Sequence, residues 1–229
     1  MQLLGTIANT TTIILGAIIG VVIKKGIPER VNDTILKGLG LGVMVYGISE
    51  GIKTENLIIV LASLVLGGVI GEIIDIDKRL ENLGDFIESK FKNKGGNISQ
   101  AFVTTSLMYC IGAMAITGAL QSGLQNDHTT LYAKSLLDFV VSIIFGSTLG
   151  IGVVLSGISV FIYQGSITLL AVFLKTLLQD PVIREMTAIG GILIAGISLN
   201  MLGLTKIRLA NLLPAVFIPI FIYIIYPFA

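Results

Sequence analysis

Long apolar runs follow one another along almost the whole chain, separated by short polar or charged connections. A helix needs about 20 predominantly apolar residues to cross roughly 30 Å of hydrocarbon. Runs of that kind occupy residues 3–23, 36–52, 56–75, 102–122, 131–151, 153–175, 185–204 and 210–228. The block from Leu131 to Leu178 is too long for one crossing, and the cluster GSTLGIG near its middle supplies a turn. The pattern predicts an all-α polytopic transmembrane bundle of about eight crossings, with seven crossings plus a re-entrant hairpin as the alternative. Residues 1–229 then form a single integral membrane domain.

One stretch has a different rhythm. From Asp75 to Ser99, Ile76, Leu80, Leu83, Ile87 and Phe91 recur at three- and four-residue spacing, with charges between them. This predicts an amphipathic cytoplasmic linker helix at 76–94, lying on the inner membrane surface or on the protein itself.

Composition strengthens the membrane reading. The chain is 54% hydrophobic and 13% charged, against roughly 45–50% and about 25% in soluble domains, and its mean hydropathy is +0.93. That much apolar surface cannot all be buried in a chain of this size, so lipid is the solvent it requires. A net charge of +1 gives no basic field for nucleic acid. A single cysteine, Cys110, makes neither an internal disulfide nor a structural zinc site. The first apolar run precedes its charges, Lys24 and Lys25, the reverse of a cleaved leader, and is read as a first membrane helix.

Charge also sets the expected orientation. With the N-terminus outside, inner segments carry Lys24, Lys25, Arg30, Lys37, Lys78, Arg79, Lys90, Lys92, Lys94, Lys206 and Arg208, and outer ones only Lys53, Lys134, Lys175 and Arg184. Cations accumulate in cytoplasmic loops. The expectation is a multi-pass protein with both termini outside.

A weak repeat accompanies this pattern. Gly47-Ile48-Ser49 and Gly196-Ile197-Ser198 share a glycine five residues upstream, Gly42 and Gly191, and an Asn-Leu pair opens each following span at Asn56 and Asn211. Spans one to three and six to eight would be inverted copies, an arrangement common in secondary transporters; chance recurrence of frequent residues is the plainer reading. The small-residue pairs Gly16/Gly20, Gly67/Gly71 and Gly146/Gly150 point to close helix packing.

Against this background Asp138 stands out. It lies about 10 Å along span five, where an ionised carboxylate costs about 2.5–3.5 kcal/mol on insertion scales. Ser135, Asp138 and Ser142 share one face, and Lys134, one turn earlier, is placed to pair with Asp138. A structural Lys–Asp lock and an ion- or proton-binding carboxylate are equal readings. Span six carries Ser156, Ser159, Tyr163 and Ser166 on one stripe and Gln164 and Thr168 on the next. Gln121 ends span four, Asn9 sits inside span one and Asn200 inside span seven, while Pro214 and Pro219 should kink span eight. Asp138, Ser135, Ser142, Gln121, Ser159, Tyr163, Gln164, Asn200 and Asn9 are the candidate substrate or ion ligands. His128 and the acidic residues at span ends, Glu50, Glu72, Asp75 and Glu185, are expected in solvent. No nucleophile elbow, zincin motif or phosphate loop is present, so neither enzymatic activity nor a cofactor is expected.

Several long segments together resemble a bacterial family. Phe102–Leu124, Lys134–Val153, Tyr163–Gly165 and Gly190–Ala215, with GTIANTTTIILGAIIG near the N-terminus, are similar to the signature segments of YqgA/YdfK-type membrane proteins, a domain family of unknown function. The resemblance implies a polytopic bacterial inner-membrane protein and adds no substrate. Its motifs include Gln121, Lys134, Ser135, Asp138, Gln164, Asn200 and Asn211. The expected function is a transporter of a small solute or ion, proton- or cation-coupled, with lipid as its surroundings and a homo-oligomer left open. The rival is a non-transporting scaffold or sensor working through the 76–94 helix.

Overall fold

The computed structural model describes residues 1–24, 28–82, 98–110 and 113–225. Long helices dominate: α1 (Leu4–Lys24), α2 (Glu29–Gly51), α3 (Leu57–Ile74), a short α4 at 76–82, α5 (Ile98–Cys110), α6 (Ala113–Gln125), α7 (Thr129–Leu149), α8 (Gly152–Leu169), the single turn α9 (Ala171–Leu174), α10 (Asp180–Met201), a 3-10 segment (Leu209–Phe217) and α11 (Ile218–Ile225). Among the described residues the all-helical architecture expected from the sequence is the one observed.

Five described helices, α1, α3, α7, α8 and α10, are long and apolar enough to cross a membrane, or six if the bent pair α5/α6 is one span. Two expected crossings take other forms. α2 runs from Glu29, seven residues earlier than expected, and its glycines together with Lys37 and Glu50 dilute its hydropathy. The eighth run divides into the 3-10 segment, with Pro214 inside it, and the short α11. Proline removes a helical N–H and obstructs the turn before it, so the chain tightens there. Residues 83–94 of the expected linker helix, with Lys90, Lys92 and Lys94, lie outside the described residues, as does Lys25.

The exposed faces identify the solvent. On α7, Leu136, Leu137, Val140 and Ile144 point outward while Lys134, Ser135, Asp138 and Ser142 are buried. α3 likewise exposes Ile58, Leu61, Val65, Val69 and Ile73 and buries Ser63. Oil-facing outside and polar inside is stable only where hydrocarbon surrounds the helix.

The helices sort into two compact units. In the first, α1 runs parallel to α7: Gly5 meets Leu131, Gly16 meets Phe139 and Ser142, and Gly20 meets Ile143 and Gly146. The approach is backbone to backbone, for a methyl at Gly20 would collide with the Ile143 carbonyl. α1 runs antiparallel to α8, with Thr6 beside Thr168, Asn9 beside Gln164 and Ile14 beside Gly157. α5 and α6 follow α8 along its length, from Ile98 at Gly152, through Ser106 at Ser159, to Gly123 at Thr168 and Ala171. Their axes differ by 60°, yet the pair advances from one end of α8 to the other.

In the second unit α2 and α10 are antiparallel, with Gly40 at Leu202 and Gly47 at Gly191 and Ala195. α3 lies antiparallel to the 3-10 segment, where Gly71 touches the Asn211 carbonyl. Gly196 packs against Leu209, so the Gly-Ile-Ser copies at Gly47 and Gly196, two of the three in the chain, do not make equivalent contacts.

Candidate functional site

The buried polar groups of the first unit converge on α7. The Lys134 ammonium donates to both carboxylate oxygens of Asp138, at 2.9 and 2.8 Å, and the two residues are 7% and 6% exposed. One turn of helix separates them, the spacing at which side chains meet. Burying either charge alone costs several kcal/mol, and pairing with further hydrogen bonds is what makes it tolerable.

α1 contributes Asn9, fully buried and lying against the Asp138 carboxylate. Its Nδ2 donates to Gln164 Oε1 at 3.3 Å across the α1–α8 seam. The second bond such an amide pair could form is missing: Asn9 Oδ1 and Gln164 Nε2 are buried without a hydrogen-bond partner. An orphaned buried polar atom costs about 1–3 kcal/mol, so one acceptor and one donor stand ready for a guest. Thr6 and Thr168 meet 3.4 Å apart farther along the seam.

α5 closes the other side. The Tyr109 hydroxyl lies 2.8 Å from Ser142 Oγ, and Ser106 donates to Ser159 at 3.1 Å. Cys110, the last residue of α5, feels the charges of Lys134 and Asp138, and Tyr163 lies near Cys110. The C-terminal end of α5 thus lies within electrostatic reach of the buried ammonium.

The other expected ligands are distributed unevenly. Ser135 donates to the Leu131 carbonyl of its own helix. Gln121 accepts from Thr130 at 2.7 Å, at the junction of α6 and α7. Asn200 belongs to the second unit, where its side chain is taken up by Thr205 and by the backbone of Ile207, holding the turn after α10. His128, expected in solvent, is half-buried, with Nδ1 2.7 Å from Ser122 Oγ. Glu185, also expected in solvent, is 1% exposed and binds the α2–α3 connection through the Thr54 hydroxyl at 2.5 Å and the Glu55 N–H at 3.0 Å. The Asn9–Gln164, Tyr109–Ser142 and Glu185–Thr54 pairings were invisible to spacing because each joins segments far apart along the chain. Among the described residues no cluster of histidine, cysteine and carboxylates could hold a metal ion.

Comparison with known proteins places this architecture. The family model described as protein of unknown function (DUF554) matches residues 4–224. The chain belongs to the DUF554 family. Among curated DUF554-type relatives, the uncharacterised membrane protein YdfK of Bacillus subtilis is 35% identical over 98% of this chain and 97% of its own length. The uncharacterised protein YqgA of Escherichia coli is 28% identical over 93% of each chain. No solved structure matches this DUF554 chain.

Proposed function

We propose that this chain is a membrane transporter for a small solute, with the Lys134–Asp138 pair at the centre of its pathway. The observation that carries the reading is the orphaned amide pair of Asn9 and Gln164 beside a buried ion pair. A purely structural lock would gain by satisfying those atoms; a binding site leaves them for its ligand. Support also comes from α5 and α6, a bent pair of helices that follows the length of α8 and whose first member ends at Cys110, within electrostatic reach of the charged pair. Discontinuous helices that present their ends to a buried site are a recurrent device of secondary transporters.

In this reading Lys134 neutralises Asp138 while the carrier is empty, and an arriving solute exchanges its own polar groups for that pairing. α1 is fixed to α7 by backbone contact at Gly16 and Gly20. The looser α1–α8 seam is the one that opens. The antiparallel pairing of α1 with α8, of α2 with α10 and of α3 with the 3-10 segment is the pairing that an inverted repeat of spans one to three and six to eight would give.

The test is flux in proteoliposomes, comparing wild type with the double variant Lys134→Gln/Asp138→Asn, which removes both charges and leaves none unpaired. Transport that survives unchanged in the folded double variant would remove the pair from the mechanism.

A further inference from the structure

We propose that the solute bound at this site is a small zwitterion, a molecule carrying an ammonium and a carboxylate on a short skeleton; the inference rests on the transport reading above.

Charge balance is the first argument. Lys134 and Asp138 are both buried and cancel each other. A lone cation or a lone anion entering between them would leave one net charge in a low-dielectric interior, which is strongly disfavoured. A zwitterion adds no net charge. Its ammonium takes Asp138 and its carboxylate takes Lys134, so each charge exchanges one partner for another.

The orphaned atoms fit the same guest. Asn9 Oδ1 is an acceptor on the residue that lies against Asp138, and an acceptor is what a second ammonium hydrogen requires. Gln164 Nε2 is a donor, matched to the second oxygen of a carboxylate. Two acceptors and two donors in one buried cluster describe a dipolar ligand better than an ion of either sign.

The α1–α8 seam supplies room. At Gly157 an added methyl would meet Ile14 at 2.6 Å, whereas at Gly165, next to Gln164, the nearest atoms would be Leu3 and Thr6 at 3.9 Å. The seam is therefore tight on one side of the amide pair, and on the other it would take a methyl-sized group in ordinary contact.

Thermal shift of the full chain in detergent, with matched flux in proteoliposomes, tests this. The probes are glycine, L-alanine and L-serine, against ethylamine and propionate as single-charge analogues and sodium chloride as an ion control. A ligand of the folded state raises its melting temperature. The zwitterions are expected to act at concentrations roughly tenfold lower than either analogue. Gln164→Leu should weaken them by roughly tenfold. Asn9→Leu/Gln164→Leu, which removes both amides together, should abolish the shift in protein that still melts cooperatively. Ethylamine or propionate matching L-alanine would overturn the assignment. Proton or sodium flux that Lys134→Gln/Asp138→Asn loses, with no response to any zwitterion, would also overturn it while leaving transport standing. No flux and no binding of any probe would remove both.

Discussion

Lys134 holds both oxygens of Asp138 from four residues away on the same helix, so the pair is complete within α7 before any other helix arrives. This sets what substitution can do. Asp138→Asn strands a buried ammonium and is expected to destabilise the fold by about 3–5 kcal/mol. Lys134→Met/Asp138→Leu replaces the pair with apolar groups and should be neutral or stabilising by about 1–4 kcal/mol. Denaturant unfolding in mixed micelles measures both. A double variant as unstable as the single would show that the pair is needed for the fold itself.

The helix directions predict a topology that can be mapped. Because α1 and α7 are parallel, their N-terminal ends share one side of the membrane, and an odd number of crossings separates them. With Cys110 replaced by Ala, single cysteines at Gln2 and at Asp127 should react with an impermeant maleimide from the same side. One at Gly150 should react from the opposite side. Labelling of Gln2 and Asp127 from opposite sides would contradict the parallel packing.

Glu185 clamps the α2–α3 connection from inside the second unit. Glu185→Ala should leave the Glu55 N–H and the Thr54 hydroxyl without this partner and cost about 1–3 kcal/mol. Hydrogen exchange at residues 54–57 should rise well above wild type. In contrast, Arg208, exposed among Glu72, Asp75 and Asp77, should contribute less, because solvent screens its ion pairs. A larger loss in Arg208→Ala than in Glu185→Ala would reverse this ranking of burial over exposure.

The start of α7 carries a small pH dependence. The backbone N–H of Thr129, with its side chain adding to the effect, holds the exposed Asp127 carboxyl below the usual carboxylate range. A depressed folded value stabilises above the unfolded value of about 4 and is lost as pH falls through the folded one. Amide exchange at residues 129–131, corrected for intrinsic rate, should therefore speed up below about pH 4. Asp127→Asn should flatten that response; an unchanged profile would mean the carboxyl does not hold the helix start.

Much of the fold was legible because bilayer thickness dictates helix length: α1, α3 and α7 lie within two residues of the expected spans. The expected boundaries failed where other physics takes over. α10 begins at Asp180, five residues early, because Pro181 is well suited to the first turn of a helix, a signal that was present in the sequence. Hydropathy alone says nothing of a bend, so span four read as continuous although it contains Gly112 and divides into α5 and α6. At the site, Lys134 and Asp138 were readable because their pairing depends only on helical spacing. Asn9 and Gln164 were singled out as buried polar residues, but that they face each other is a property of how α1 docks on α8, which no local spacing encodes.

The distance between those partners along the chain has a consequence for biogenesis. Asn9 emerges from the ribosome 155 residues ahead of Gln164. At roughly 5–20 residues per second, the first helix waits on the order of ten seconds or more in the translocon's surroundings with its amide uncovered. Its seat beside α7 becomes available earlier than its seat beside α8, so docking along the glycine-lined side precedes closure of the polar seam. Within the first unit, the contact that forms late is thus also the one that transport would have to reopen.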